Sequence, residues 1–191
     1  MNELIKAAES YGITVPEEDQ QALARAIRKR TARKKAIIFR LTETCKEVIY
    51  LIRGITASVF NYDGKEVVTR FFQTGNFSSN IVSAVQKSPA SDYLIAITEV
   101  EYLAIPFEYF QRLYLYSNAI GLFIRKKLIE NSIENKKLTS AKTIPDLNVR
   151  YQYLLEYYPQ VIRDTPAKYV AKFLGVTPEG YSRFIAKRRT S

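Results

Sequence analysis

The fold of this chain is decided by residues 165–187, which read TPAKYVAKFLGVTPEGYSRFIAK. Pro166 suits the first turn of a helix, because the N–H group that proline lacks is unpaired there anyway. Gly175 tolerates the left-handed backbone conformation that commonly ends a helix. Thr177 offers a side-chain oxygen as the N-cap of a second helix, with Pro178 at its first position. The stretch therefore predicts two short helices joined by a tight turn.

Each predicted helix carries one apolar face, as expected if the two helices pack against each other. The faces consist of Val170, Ala171, Phe173 and Leu174 in the first helix and of Tyr181, Phe184 and Ile185 in the second. This pattern is typical of a helix-turn-helix motif. A helical hairpin that only closes a domain has the same pattern, so the rest of the chain must decide between the two.

The composition is that of a folded protein without membrane segments. The chain has 191 residues, of which 47% are hydrophobic, and this is enough for a packed core. Its apolar runs are only a few residues long, so we expect neither a signal peptide nor a membrane span. The sequence therefore predicts a cytoplasmic protein with no membrane partner.

The absence of histidine excludes several classes of enzyme and metalloprotein. Without imidazole there is no Ser-His or Cys-His nucleophile pair, no His-ligated haem and no His-containing zinc site. The single cysteine, Cys45, can form neither an internal disulfide nor an iron–sulfur site, and no glycine-rich loop for phosphates is present. A cupin-type barrel enzyme is disfavoured, since its metal is usually bound by histidines. We predict a protein that is not an enzyme and needs no cofactor.

The net charge of +10 is concentrated in two places. Residues 25–35 carry seven cations and no acid, and residues 163–191 carry seven cations against Asp164 and Glu179. The rest of the chain is slightly acidic. Such clustering is typical of phosphate-binding surfaces, although two solvated faces would look the same. The role of the first cluster stays open at this stage.

The middle of the chain changes from helical to strand-like patterns. Residues 2–33 look helical, and short runs of β-branched and aromatic residues begin at residue 36. Asp63-Gly64 is a strong hairpin signal, because both central residues of a type I′ turn have positive φ. Evenly spaced short strands predict an antiparallel sandwich or barrel. The candidate strands are residues 36–39, 47–52, 55–60 and 67–72, with another pair within 91–104.

A long helix is predicted to follow the strands, over about residues 117–139, after a short helix at 107–113. One stripe of this helix could pair with the same stripe of a second copy, with a polar Asn fixing the register. Alternatively, the stripe packs on the barrel. A further helix begins at Pro145 and ends at Pro159. The predicted dimer stripe consists of Ile120, Ile124, Leu128, Asn131, Asn135 and Leu138.

The order of these elements resembles the Crp/Fnr superfamily, the cyclic-AMP receptor-like transcription regulators of bacteria, and is most similar to the divergent group typical of Bacteroidetes. Three stretches carry the resemblance: residues 62–68 (YDGKEVV), 150–155 (RYQYLL) and above all 166–179 (PAKYVAKFLGVTPE). The resemblance implies an α+β fold in three parts. These are a sensor-like antiparallel β-barrel (a cyclic-nucleotide-binding-like jelly roll) with flanking helices at 1–116, a long dimerisation helix at 117–141 and a helix-turn-helix domain at 142–191.

In this superfamily the second helix of the motif enters the major groove of DNA. Glu179 and Arg183 match its base-reading positions, and their chemistry suits cytosine N4 and the O6 and N7 atoms of guanine. Pro178 and Gly180 depart from the family pattern, so the DNA sequence that is read stays open. Phosphate contacts or support would come from Thr177, Ser182, Lys168, Lys172, Lys187, Arg188 and Arg189.

The barrel departs further from cyclic-nucleotide-binding relatives. Those relatives hold the ribose with a glutamate and the phosphate with an arginine, and this chain has Asn80 and Ala90 at the matching positions. A buried phosphate without a cation is strongly disfavoured. We expect a degenerate site that binds no cyclic nucleotide; whether the barrel binds an unidentified small-molecule effector or nothing stays open.

Together these patterns predict a homodimeric regulator that binds double-stranded DNA at a roughly palindromic operator. The alternative is a β-barrel module that binds a ligand or a protein and has no sequence-specific DNA binding.

Overall fold

The centre of the molecule is a sandwich of two four-stranded antiparallel sheets. The computed structural model describes residues 1–189. The sheets have the strand orders β1-β8-β3-β6 and β2-β7-β4-β5. The predicted jelly roll is confirmed, and it consists of two open sheets rather than one closed barrel. The strands are β1 Arg28–Ala32, β2 Ile37–Phe39, β3 Glu47–Arg53, β4 Thr56–Tyr62, β5 Lys65–Phe72, β6 Phe77–Ser78, β7 Asp92–Ala96 and β8 Val100–Pro106.

The sequence had suggested that the first basic cluster, residues 25–35, lies mostly in a helix. In the structure, part of this cluster instead forms a strand. Two helices, α1 (Asn2–Glu9) and α2 (Glu17–Ala26), are followed by β1, which pairs with β8 so that Arg28 lies opposite Ala104. Lys29 forms ion pairs with Glu3 and Glu101. N–H groups of both terminal nitrogens of Arg30 donate to the Glu47 carboxylate, with nitrogen–oxygen distances of 2.8 and 2.9 Å. Part of this cluster therefore holds the edge of a sheet in place.

The hairpin between β4 and β5 has the predicted turn. Asp63 and Gly64 have φ values of 51° and 74°, as a type I′ turn requires. Further along, the pairing shifts between Ser58 and Val59, which leaves one extra residue in β5. This bulge places Val68 and Phe71 on the outer face of the sheet.

The helices surround this sandwich. The predicted short and long helices are present with slightly different ends, whereas α3, α7 and the two-residue strand β6 were not predicted. In the described part of the chain no helix is long and apolar enough to cross a membrane. The remaining helices are α3 Ile81–Gln86, α4 Phe107–Tyr116, α5 Ala119–Lys142, α6 Leu147–Tyr157, α7 Pro159–Asp164, α8 Ala167–Leu174 and α9 Pro178–Arg189.

The stripe of α5 that was predicted to form a dimer packs on its own chain. Ile120 and Ile124 are fully buried in the core with α1, and Leu138 is buried against the other sheet. Asn131 is buried and accepts a hydrogen bond from the Asn76 amide at 3.1 Å. Leu128 and Asn135 are partly buried. The prediction identified a packing face correctly but gave it the wrong partner, because periodicity does not show what a face packs against.

The C-terminal helices share a hydrophobic core with the sheet β2-β7-β4-β5. The rings of Phe71 in β5 and Phe173 in α8 have centroids 5.2 Å apart. The Lys172 ammonium of α8 forms an ion pair with Glu66 of β5, and the Tyr93 hydroxyl donates to the same carboxylate. Hydrogen bonds from Lys172 and Tyr93 lower the pKa of Glu66. The helix pair is therefore docked directly on the sandwich.

Candidate nucleic-acid interface and effector site

The helix-turn-helix geometry predicted for residues 165–187 is present. Gly175 ends α8 with φ of 71°, in the left-handed region. The Thr177 hydroxyl oxygen accepts the N–H of Gly180 at 3.0 Å, so this side chain acts as the N-cap of α9. The ring of Tyr181 packs into the shared core, which fixes the rotation of α9 about its axis.

The face of α9 away from the core carries the predicted base-reading residues. Glu179 and Arg183 are both exposed and lie four residues apart, so they project from the same side of the helix. Ser182 and Lys187 are also exposed on α9. This side of the helix can therefore present an acceptor, a guanidinium and a hydroxyl to a partner.

The other predicted phosphate-binding cations have different surroundings. Lys168 is exposed on α8, whereas Lys172 is engaged by Glu66. The Arg188 guanidinium contacts the side-chain oxygen of Asn148 and lies 5.1 Å from the centroid of the Tyr151 ring. The Arg189 side chain lies outside the described residues. Lys168 therefore remains an exposed cation on α8 that fits the prediction.

A hydrogen-bond network fills the region around Asn80, which was predicted to be a degenerate effector cassette. The Asn80 oxygen accepts the N–H of Ser83 at 3.0 Å and caps α3, while its amide donates to the Asp92 carboxylate. The Ser58 hydroxyl donates to the same carboxylate. A cavity of only about 20 Å³ remains beside Asn80 and Asp92. Ala90 is buried and supplies no charge.

A larger pocket lies between the sandwich and α5, and the sequence had not indicated it. Its volume is about 320 Å³, within the range of small-molecule sites. Phe72, Phe77 and Phe110 form apolar walls, and Arg70 and Asn131 contribute polar groups. The signal in the sequence that could have indicated this pocket is Arg70, a cation within the apolar run of β5. Its inward direction, however, depends on the bulge, which the sequence does not reveal.

No metal site accompanies these features. Among the described residues, no group of three or more His, Cys, Asp and Glu side chains is placed to hold a metal ion. Cys45 is buried, with its sulfur 3.3 Å from the carbonyl oxygen of Glu47.

Comparison with known proteins agrees with this architecture. Residues 29–117 match the family model of the cyclic nucleotide-binding domain. No curated protein matches the chain.

Solved structures that include a putative Crp/Fnr-family regulator share this fold over about nine-tenths of the chain, which confirms the predicted resemblance at the level of fold. A CooA mutant from Carboxydothermus hydrogenoformans has 18% identity and a TM-score of 0.67, covering 92% of this chain and 81% of its own. The c-di-GMP-responsive regulator CLP of Xanthomonas campestris has 20% identity and a TM-score of 0.62, covering 90% of each chain. A putative Crp/Fnr-family regulator from Eubacterium rectale has 13% identity and a TM-score of 0.69, covering 92% and 84%.

Proposed function

We propose that this protein is a homodimeric DNA-binding transcription regulator whose sandwich domain does not bind cyclic nucleotides. The observation that carries the proposal is the exposed pair Glu179 and Arg183 on the outer face of a capped helix-turn-helix. The Crp/Fnr-type fold supports it, because the related structures include proteins described as a global regulator and as a putative transcriptional regulator. In this proposal residues 1–116 form the effector-sensing domain, residues 117–141 form the dimerisation helix, and residues 142–191 form the DNA-binding domain.

The chemistry of α9 fits the major groove. A carboxylate at residue 179 can accept from cytosine N4, and the Arg183 guanidinium can donate in a bidentate manner to O6 and N7 of guanine. Lys168, Ser182 and Lys187 would contact phosphates, which fix register without reading sequence. Lys172 would join them only after leaving Glu66.

Dimerisation is assigned to the face of α5 that remains exposed. Leu122, Ile129 and Ile133 lie on this face, with exposed fractions of 40%, 60% and 53%. Their separations of seven and four residues fit a parallel pair of helices. Two copies joined in this way would present two α9 helices to half-sites about one turn of DNA apart.

The loss of cyclic-nucleotide binding follows from the groups around Asn80. The Asp92 carboxylate lies beside Asn80, whose amide donates to it, and Ala90 provides no compensating cation. Bringing a phosphodiester next to this partly buried carboxylate would combine desolvation with like-charge repulsion.

Selection from a random duplex library tests the proposal. Wild type should enrich a palindromic motif, and Arg183→Ala should relax the preference at one position in each half-site, by about 1–3 kcal/mol. Lys168→Ala is the matched control: it should weaken binding to all sequences and reduce the salt dependence, leaving the motif unchanged. If wild type enriches nothing, the alternative holds, namely a ligand- or protein-binding sandwich without sequence-specific DNA binding.

A further inference from the structure

Arg70 is an inward-facing cation that lacks an ionic partner. Its Nη2 donates to the backbone carbonyl of Asn131 at 3.1 Å, and its guanidinium carbon lies 4.8 Å from the centroid of the Phe72 ring. Its Nε is buried without a hydrogen-bond acceptor. Within residues 1–189, no carboxylate comes within ion-pair distance of Arg70. A guanidinium taken out of water in this way is stabilised by any anion that reaches it.

The electrostatic surroundings of Arg70 leave room for such an anion. Burial lowers the pKa of Arg70, and the nearby Tyr158 and Glu134 raise it in return. Glu134 is partly exposed, and its carboxylate is 3.4 Å from the Tyr158 hydroxyl. Glu134 therefore stabilises the buried charge of Arg70 without forming an ion pair with it, and its carboxylate would compete only weakly with an anionic ligand for Arg70.

The pocket beside Arg70 has one polar side and one apolar side. Asn131 and Ser132 line it together with Arg70 and can donate hydrogen bonds to an acceptor. Phe77 and Phe110 line the opposite part, and their ring planes meet at 63°. Such a division suits a molecule with a charged end and a flat apolar body.

We propose that this pocket binds a small organic carboxylate with an aromatic or similarly flat body, and that Arg70 receives the carboxylate. The inference rests on the proposed function, because the ligand would be the effector of the regulator. It differs from the cyclic-nucleotide arrangement, since the cation comes from β5 rather than from the cassette around Asn80. That cassette is closed by Asp92.

Calorimetric titration of the full chain with phenylacetate tests this site, with the isosteric but uncharged phenylacetamide as the comparison. Phenylacetate should bind, and phenylacetamide should bind at least about tenfold more weakly, because it lacks the charge-assisted hydrogen bonds. Arg70→Met should weaken phenylacetate binding by about tenfold or more, and Glu134→Gln should strengthen it by removing a competing carboxylate. Arg53→Met, which removes an exposed arginine from β3, is the control and should change nothing.

Arg70 also holds the backbone of α5, so its replacement can affect folding. Ser132→Tyr is the second variant: this residue is exposed at the pocket, and a larger side chain there should block the ligand while leaving Arg70 in place. The proposal is overturned by equal affinity for the two probes, by full binding in Ser132→Tyr, or by no binding of phenylacetate up to about 10 mM. Motif enrichment on DNA is measured without any probe, so its failure would refute the proposed function separately.

Discussion

Lys142 should make the stability of this protein depend on pH in an unusual direction. It lies at the end of α5, where its Nζ donates to the carbonyls of Val68 and Thr69 at 3.2 and 2.9 Å. The ammonium is 3.8 Å from the centroid of the Phe173 ring. No carboxylate within the described residues forms an ion pair with it. Burial lowers the pKa of Lys142 from 10.5 to about 8.

The lowered pKa determines the sign of the effect. Below pH 8 both the folded and the unfolded states carry the proton, and the folded state bears the whole cost of the buried charge. Between pH 8 and 10.5 the folded state releases the proton first, so the unfolded state binds more protons and stability rises with pH. From these two values, Lys142 should contribute about 2 kcal/mol more to stability at pH 9.5 than at pH 7.

The measurement is urea denaturation of wild type and Lys142→Met at both pH values. The difference in unfolding free energy between the two proteins should shift by about 2 kcal/mol in favour of wild type on going to pH 9.5. Other titrating groups cancel, because both proteins contain them. Lys168→Met, which removes an exposed lysine from the neighbouring helix, should show no such shift. A difference between wild type and Lys142→Met that stays constant with pH would refute the reasoning.

Two further predictions concern α5. Gly121→Ala should destabilise the fold by about 1–3 kcal/mol, because the new Cβ would lie 2.5 Å from the Leu113 carbonyl oxygen. This loss should occur despite the higher helix propensity of alanine. Gly180→Ala is the control and should not destabilise the fold; thermal melts of the two variants measure the difference. Ile133→Glu should convert the proposed dimer to a monomer in light scattering by placing a charge in the proposed interface, whereas Leu155→Glu on α6 should leave it unchanged. A wild-type monomer would contradict the proposed interface.

Local chemistry allowed the sequence to predict the turns and the helix-turn-helix. Gly175, Thr177 and the pair Asp63-Gly64 each act within a few residues, and the structure shows the left-handed cap, the N-cap and the positive φ angles that they imply. Such signals do not depend on distant parts of the chain.

Features that depend on distant pairing were not predictable in the same way. β1 is rich in cations without apolar alternation, and it becomes a strand because it pairs with β8, with Arg28 opposite Ala104. α5 is apolar on two sides, and only the folded sandwich shows which side is covered by α1 and the sheets. Likewise, the cations Lys172 and Arg188 looked equivalent to Lys168 until the structure placed Glu66 and Asn148 beside them.

The bulge in β5 has a mechanical consequence for the whole molecule. It shifts the alternation of side chains along the strand, so that Arg70 faces the pocket and Phe71, its covalently bonded neighbour, contacts Phe173 of α8 on the other side of the sheet. One peptide bond therefore separates the residue at the proposed ligand pocket from the residue that contacts the helices proposed to read DNA. No flexible linker lies between the pocket and the helix pair along this route. A displacement of β5 at the pocket would therefore also displace its contact with α8.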